Sequence, residues 1–361
     1  MKILVLHPDF EDPGGVSAYY KKLESRYTFP VDHFVTGKRP LEKGDIAKIT
    51  RLIKDYWNFL TKIKKDNYDV IHVNPSLDPR SFFRDGMFLL LARMHKKKTV
   101  VFFHGWQETF ARKIQNNGMW RFKYLYGKVD AFIVLAEEFK KTLESWGCPQ
   151  PVIREVIVID DDILKEFDIH QAIEKRIRSE KWRILFLSRI LREKGIYETI
   201  EAVSILGKKY PQIELIIAGD GEELENIKTY VHKNSISNVI FAGYVVGEEK
   251  CRLLEGSHIL CFPTYYSEGF PNTIVESMAF GIPVVTRPVG GIADFFKNGE
   301  HGFTTTSKEP GDFANSMEKL FLDVELYRKI SMCNYRYAIE NFLASQAASR
   351  LGKIYKSVLE K

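Results

Sequence analysis

What most constrains the fold of this 361-residue chain is an alternation of two apolar patterns that occurs twice. Short runs rich in Val and Ile stand at Ile3–Leu6, Val31–Val35, Val70–Val73, Thr99–Phe103, Ala131–Leu135 and Val156–Ile159. Between them lie stretches apolar on one helical face, such as Val16–Arg26 and Ile46–Lys65. Runs this apolar fit strands covered on both faces, and strands separated by helices pair in parallel. The pattern then restarts. Strands are expected at Arg183–Leu187, Glu214–Ala218, Val239–Phe241, Ile259–Phe262 and Pro283–Thr286, and helices at about 195–208, 222–233, 248–255 and 273–280. After Thr306 the chain reads as helical, with a break near Asn341. The expectation is two doubly wound α/β domains, with the polar stretch Leu164–Lys181 connecting them.

Composition bounds the function classes. With 45% hydrophobic and 28% charged residues the chain is globular and neither disordered nor fibrous. The run Met87–Ala92 is far shorter than the about 20 apolar residues of a membrane span. The opening run turns polar at His7-Pro8-Asp9, so no secretory leader is expected. Four cysteines (Cys148, Cys251, Cys261, Cys333) form no CxxC pair and no metal spacing, as in a reduced cytoplasmic chain. The net charge of +6 is too weak to indicate nucleic acid, but it is unevenly placed. Residues 1–165 carry 28 Lys and Arg against 21 Asp and Glu; residues 166–361 carry 25 against 26. Clusters such as Lys62-Ile63-Lys64-Lys65 and Lys96-Lys97-Lys98 read singly as solvated helix ends. The asymmetry gives equal weight to attraction toward an anionic membrane or a phosphorylated ligand.

Ligands of doubly wound sheets sit beyond the carboxyl ends of the strands, so chemistry is sought in the loops that follow them. Glu268-Gly269-Phe270-Pro271-Asn272-Thr273-Ile274-Val275-Glu276 follows one strand and opens a helix, whose free N–H groups suit a phosphate. Glu268 and Glu276 are carboxylates able to accept hydrogen bonds from sugar or ribose hydroxyls. Taken singly, Thr273-x-x-Glu276 reads as a capping box and Glu268 as a solvated charge. Ser188-Arg189-Ile190-Leu191-Arg192-Glu193-Lys194-Gly195 follows another strand; Arg189 and Lys194 suit a diphosphate, although a plain basic turn is common. Gly14-Gly15 opens the first helix, and its departure from GxGxxG argues against a dinucleotide fingerprint. His104 ends a strand, as does the weaker candidate His7. Tyr244 and Gly219-Asp220-Gly221 read more readily as turns, Asp160-Asp161-Asp162 reads as a solvated one, and Gly290-Gly291, after the strand Pro283–Thr286, could place backbone N–H groups near the cleft.

In this order, the motifs resemble the retaining family-4 glycosyltransferases of the GT-B fold, most specifically over 188–302. The resemblance implies two Rossmann-like domains facing a cleft. Residues 1–164 would form the acceptor-side domain, 165–181 the connection, and 182–335 the nucleotide-sugar domain. Residues 336–361 would be a helical segment packing back on the first domain. It implies that Glu268 holds the transferred sugar's hydroxyls, with Gly269, Phe270 and Pro271 lining the sugar, and that Glu276 holds the ribose, with Tyr244 near the base. Arg189, Lys194, Gly15, Asn272 and Thr273 would bind the diphosphate, with Arg189 and Lys194 neutralising it; His104 would lie near the reacting carbon and Gly14 by the acceptor. The expected donor is a UDP- or GDP-hexose and no obligatory metal is expected. The expected acceptor is a glycan or lipid-linked glycan, with contact to an anionic membrane and none to nucleic acid. The Glu-Gly-Phe-Pro-Asn form resembles a branch building bacterial surface polysaccharides. Asp160–Ile163 in place of Asn-Gly-Val-Asp, Asp294 in place of Glu, and Leu343 in place of a tryptophan depart from the pattern. A glycoside hydrolase, an epimerase or phosphorylase, and a non-catalytic binding subunit are the competing readings.

Overall fold

The computed structural model describes residues 1–11, 14–37, 44–266 and 270–360, with the backbone alone for Asp45. In chain order the first elements are β1 (Ile3–His7), α1 (Gly15–Leu23), β2 (Val31–Val35), α2 (Asp45–Lys65), β3 (Val70–Val73), β4 (Ser76–Leu77) and α3 (Pro79–Met94). Then come β5 (Lys98–Phe103), β6 (Gly105–Trp106), α4 (Glu108–Lys113), α5 (Met119–Leu125), β7 (Ala131–Val134), α6 (Glu137–Ser145) and β8 (Val152–Arg154). The second series is α7 (Ile169–Ile177), β9 (Trp182–Leu187), α8 (Ile196–Lys209), β10 (Ile213–Ala218), α9 (Leu224–Lys233), β11 (Val239–Gly243) and α10 (Gly247–Gly256). It continues with β12 (Ile259–Phe262), α11 (Asn272–Ala279), β13 (Val284–Thr286), β14 (Gly302–Thr304), α12 (Pro310–Leu322), α13 (Val324–Phe342) and α14 (Ala344–Leu359).

The chain divides into two compact units, Met1–Val158 with Ala344–Lys361, and Ile159–Leu343. In the first, six strands pair in parallel in the order β2-β1-β3-β5-β7-β8. Alternation along each strand builds a core on either face. Leu4, Leu6, Ile71, Val73, Val101 and Phe103 pack with Phe59, Phe82, Phe88 and Phe122 from α2, α3 and α5. Ile3, Val5, Val70, Val100 and Phe102 pack with Tyr19 and Tyr20 of α1 and with Leu351, Ile354 and Tyr355 of α14. The second unit repeats the plan with the order β11-β10-β9-β12-β13-β14, also parallel. In each sheet the strand order reverses beside the first strand, so crevices open at the carboxyl ends of β1 and β3, and of β9 and β12.

Three expectations change. The run expected as a strand at 156–159 does not join the sheet, Ile159 alone making an isolated parallel bridge to Leu343; β8 forms at Val152–Arg154 instead. The ladder stops at Glu155, whose buried carboxylate receives Arg350 Nε at 2.9 and 3.1 Å and Nη2 at 2.5 Å. The stretch expected as a connection, 165–181, contains α7, capped by the Asp168 carboxylate and built into the second unit. There Arg176, 2% exposed, donates to the carbonyls of Leu254, Glu255, Phe280 and Gly281. The chain passes between the units at Val158–Ile159 and Leu343–Ala344. Finally, β14 is a strand that a three-residue segment opening on Gly302 did not announce.

Candidate functional site

In the second unit the loops after β9 and β12 flank the switch point. The Ser188 and Ile190 amides donate to the Ala218 and Asp220 carbonyls at 3.1 and 2.9 Å, fastening the first loop to the turn after β10. Gly219 permits this approach, since a Cβ there would lie 1.8 Å from the Ser188 carbonyl oxygen. Arg189 stands exposed between these anchors. The next turn closes at Gly195, with φ +82° and room for no Cβ beside the Pro263 carbonyl oxygen 2.5 Å away. Only glycine meets both demands without strain. This contact joins the two loops, and the Glu193 carbonyl accepts from the Tyr265 and Tyr266 amides at 2.9 and 3.1 Å. Lys194 is thereby buried, its ammonium 4.4 Å from the Tyr266 ring centroid and 5.8 Å from that of Phe262.

The helix that follows, α11, starts at Asn272, with Pro271 at the cap position and no side-chain cap. The capping box considered for Thr273 and Glu276 does not form, because Thr273 already lies inside the helix. Thr273 Oγ1 is buried without a partner among the described residues. Glu276, 8% exposed, accepts instead from Lys250 Nζ of α10 at 2.8 Å. Asn272 is exposed at the helix start. A helix end with free N–H groups is a seat for an anion.

Other expected residues fare differently. Glu268 and Gly269 lie outside the described residues. Phe270, expected against the sugar, turns its ring into the core. It stacks on Phe295 at 4.4 Å and meets Phe342 edge-on at 5.7 Å, because an aromatic ring is better covered there than exposed in a loop. Pro271 is buried too. Tyr244 is 75% exposed, and its neighbour Gly243 ties it to this edge by accepting from the Gly219 amide at 2.7 Å. Lys250 and Tyr266 escaped sequence reasoning; neither lies in a motif, and Lys250 meets Glu276 from 26 residues away.

In the first unit Gly14 caps α1 in an extended conformation and Gly15 begins it. A Cβ on Gly15 would meet nothing within 4 Å, and its φ is not positive, so the fold itself does not demand glycine there. His104, after β5, packs on Phe102, Tyr19 and Tyr20, with ring centroids 3.8, 4.9 and 5.9 Å away. Its Nε2 is buried without a partner among the described residues. Burial, aided by the nearby His72, lowers its pKa to about 3, so the imidazole is neutral at neutral pH. His7 is also neutral, lowered to about 4 chiefly by burial; it shares a hydrogen bond with His33 at 2.9 Å. His72 joins Tyr20 and Tyr355 through its two ring nitrogens. Among the described residues no three His, Cys, Asp or Glu side chains gather to hold a metal.

Residues 16–158 match the model of Glycosyltransferase Family 4, and residues 169–336 that of Glycosyl transferases group 1. The chain belongs to the family-4, group 1 glycosyltransferases. This is a family of transferase enzymes. Two curated glycosyltransferases illustrate the likeness. The capsular polysaccharide biosynthesis glycosyltransferase CapM of Staphylococcus aureus is 30% identical over 233 residues, 63% of this chain and 58% of that one. The putative glycosyltransferase YtcC of Bacillus subtilis is 26% identical over 370 residues, 96% and 86% of the two chains. The chain spans about half the length of the first relatives it matches, 58% of CapM and 52% of the uncharacterized glycosyltransferase MJ1607 of Methanocaldococcus jannaschii. Among solved structures, sucrose-phosphate synthase from Thermosynechococcus elongatus superposes with a TM-score of 0.73 at 18% identity, covering 100% of both chains. Anabaena HepE in complex with UDP and glucose gives 0.71 at 18%, covering 99% of this chain and 100% of that one. At such identity the likeness is one of fold, and the fold is GT-B. This family member therefore has the fold expected from its sequence.

Proposed function

We propose that this glycosyltransferase moves a hexose from a UDP- or GDP-sugar to a hydroxyl of a glycan or lipid-linked glycan. The transfer retains the anomeric configuration and serves the building of a bacterial surface polysaccharide, in the cytoplasm. One observation carries the reading: of the two loops that flank the switch point of the second sheet, the one after β9 holds Arg189 and buried Lys194, and the one after β12 leads to the uncapped start of α11. The solved complex of HepE with UDP and glucose and the capsular role named for CapM support the same substrate class.

The demanding step is breaking the bond between the anomeric carbon and the diphosphate. Negative charge grows on the leaving diphosphate while the sugar becomes oxocarbenium-like. Lys194, Arg189 and the Asn272–Thr273 helix end hold positive charge where that negative charge develops, without reorganising during reaction. Glu276, positioned by Lys250, accepts from the ribose, and Tyr244 flanks the base. Glu268 holds the sugar hydroxyls, and Gly269 lines the sugar. Neutral His104 offers its unpaired nitrogen to the sugar. Gly15 lets the donor phosphate approach the first helix and Gly14 borders the acceptor. These side-chain cations make a resident metal unnecessary in this reading, and the departing phosphate oxygen takes the acceptor's proton.

A thermal-shift screen of nucleotide sugars tests this. The correct donor at 100 times its Kd adds about 2.7 kcal/mol of stability, an upward shift in Tm. A screen in which no nucleotide sugar stabilises the chain, or sugar release from a simple glycoside without nucleotide, overturns the reading.

A further inference from the structure

Helix α2 is apolar on two faces. One is buried: Phe59 is 0% and Ile63 3% exposed within the core of the first unit. The other is a stripe of Ile46, Ile49, Ile53 and Trp57, spaced three and four apart on one helical face. These four are 81%, 58%, 64% and 71% exposed. A helix that only has to pack on a sheet needs one apolar stripe, so the second calls for another explanation. The surface continues onto the neighbouring helices, with Phe83, Met87 and Met94 exposed on α3 and Trp120 and Tyr124 on α5.

Cations accompany this apolar surface. Lys54, Lys64 and Lys65 on α2, Arg80 on α3, and Arg121 and Lys123 on α5 are exposed. Helices α2 to α5 together carry thirteen Lys and Arg against four Asp and Glu. The Arg121 guanidinium lies 4.7 Å from the Trp120 ring centroid. Between α2 and α3 opens a cavity of about 660 Å³, with Lys48, Arg51, Arg80 and Arg84 beside the apolar walls of Leu52 and Phe83. Arg51 is paired with Asp55 and Arg84 with Asp85.

Protein interfaces are depleted in lysine, whereas an amphipathic helix with an apolar stripe, a tryptophan and flanking lysines suits an anionic bilayer. We propose that the α2–α3–α5 face docks on an anionic lipid bilayer. Ile46, Ile49, Ile53 and Trp57 enter the boundary between head groups and acyl chains, and the exposed lysines and arginines beside them meet the anionic head groups. This deepens the lipid-linked acceptor of the proposed function and rests on that reading for its purpose alone.

The test is flotation of the full chain with vesicles of phosphatidylcholine, alone or mixed with phosphatidylglycerol. The chain floats with the anionic vesicles only, and less so at about 0.5 M salt. The double variant Ile53→Glu/Trp57→Glu loses binding by on the order of 100-fold, through lost apolar insertion. Lys54→Glu/Lys64→Glu loses it by about tenfold or more, through charge. Both keep the wild-type Tm and the nucleotide-sugar thermal shift, since the altered residues are exposed and lie in the other unit. Three results overturn the inference: equal or no binding to the two vesicle types, unchanged binding by Ile53→Glu/Trp57→Glu, or a wild-type dimer that this variant makes monomeric. Anionic vesicle binding without any nucleotide-sugar shift leaves the docking face standing and removes the donor reading instead.

Discussion

Three imidazoles sit at the carboxyl ends of neighbouring strands in the first unit, and burial keeps them neutral. His72 titrates near 3 and His7 near 4, against about 6.5 in an unfolded chain. The unfolded state therefore takes up these protons first as pH falls. The stability they confer is complete above pH 6.5 and declines toward pH 4, by at most about 1.4 kcal/mol per pH unit for each buried group. Thermal unfolding followed from pH 7 to pH 5 should show a falling Tm, and His72→Gln should make the fall shallower. An unchanged slope in that variant would remove His72 from the account. Lys194 gives a second expectation at this scale. Its ammonium is held between aromatic rings at the switch point, so Lys194→Ala should lower kcat/KM by roughly 10²–10³ with the fold intact. Loss of an equal factor in thermal stability instead would mark a purely structural lysine.

At the scale of elements, α14 shows what fastens a helix to a sheet from a distance in sequence. Its apolar face covers Val100 and Phe102 from one side. Arg350 then forms a two-pronged pair with Glu155, which is 2% exposed. Arg350→Ala leaves that carboxylate buried without its cation and should destabilise the first unit by about 3–5 kcal/mol. Denaturant unfolding measures this; a loss under about 1 kcal/mol would show the pair to be no better than a surface one. The same pair explains why the strand expected at 156–159 forms instead at 152–154. Val152-Ile153 and Val156–Ile159 are both apolar, and the Arg350 that holds Glu155 between them lies 195 residues away.

For the whole molecule, the chain leaves the first unit at Val158 and returns to it at Ala344. The first unit is thus incomplete without residues that come last. Ending the chain after Leu343 removes Ala347, Leu351, Tyr355 and Val358 from its core and uncovers one face of the sheet. Such a chain should show two separated unfolding events in calorimetry, the first unit melting well below its full-length Tm and the second near its original one. A single transition at the full-length Tm would contradict this division. Domains behave as separate folding units when each has its own core, which Phe186, Ile217 and Leu260 supply to the second.

By itself the sequence determined the two parallel sheets, ten of whose strands lie where its apolar runs stand, because burial on both faces leaves a mark within a few adjacent residues. It also placed Arg189 and Lys194 in the loop after a strand and Asn272 at a helix start, since Gly195 and the helix starts punctuate the chain locally. Only the tertiary structure decided what depends on residues remote in sequence. It paired Glu276 with Lys250, took Phe270 into an aromatic core, built 169–177 into the second unit, and left Ile46, Ile49, Ile53 and Trp57 outside any core. Periodicity records that a side chain can be covered. Which neighbour covers it, or whether none does, is settled by the packing of elements that the pattern alone does not bring together.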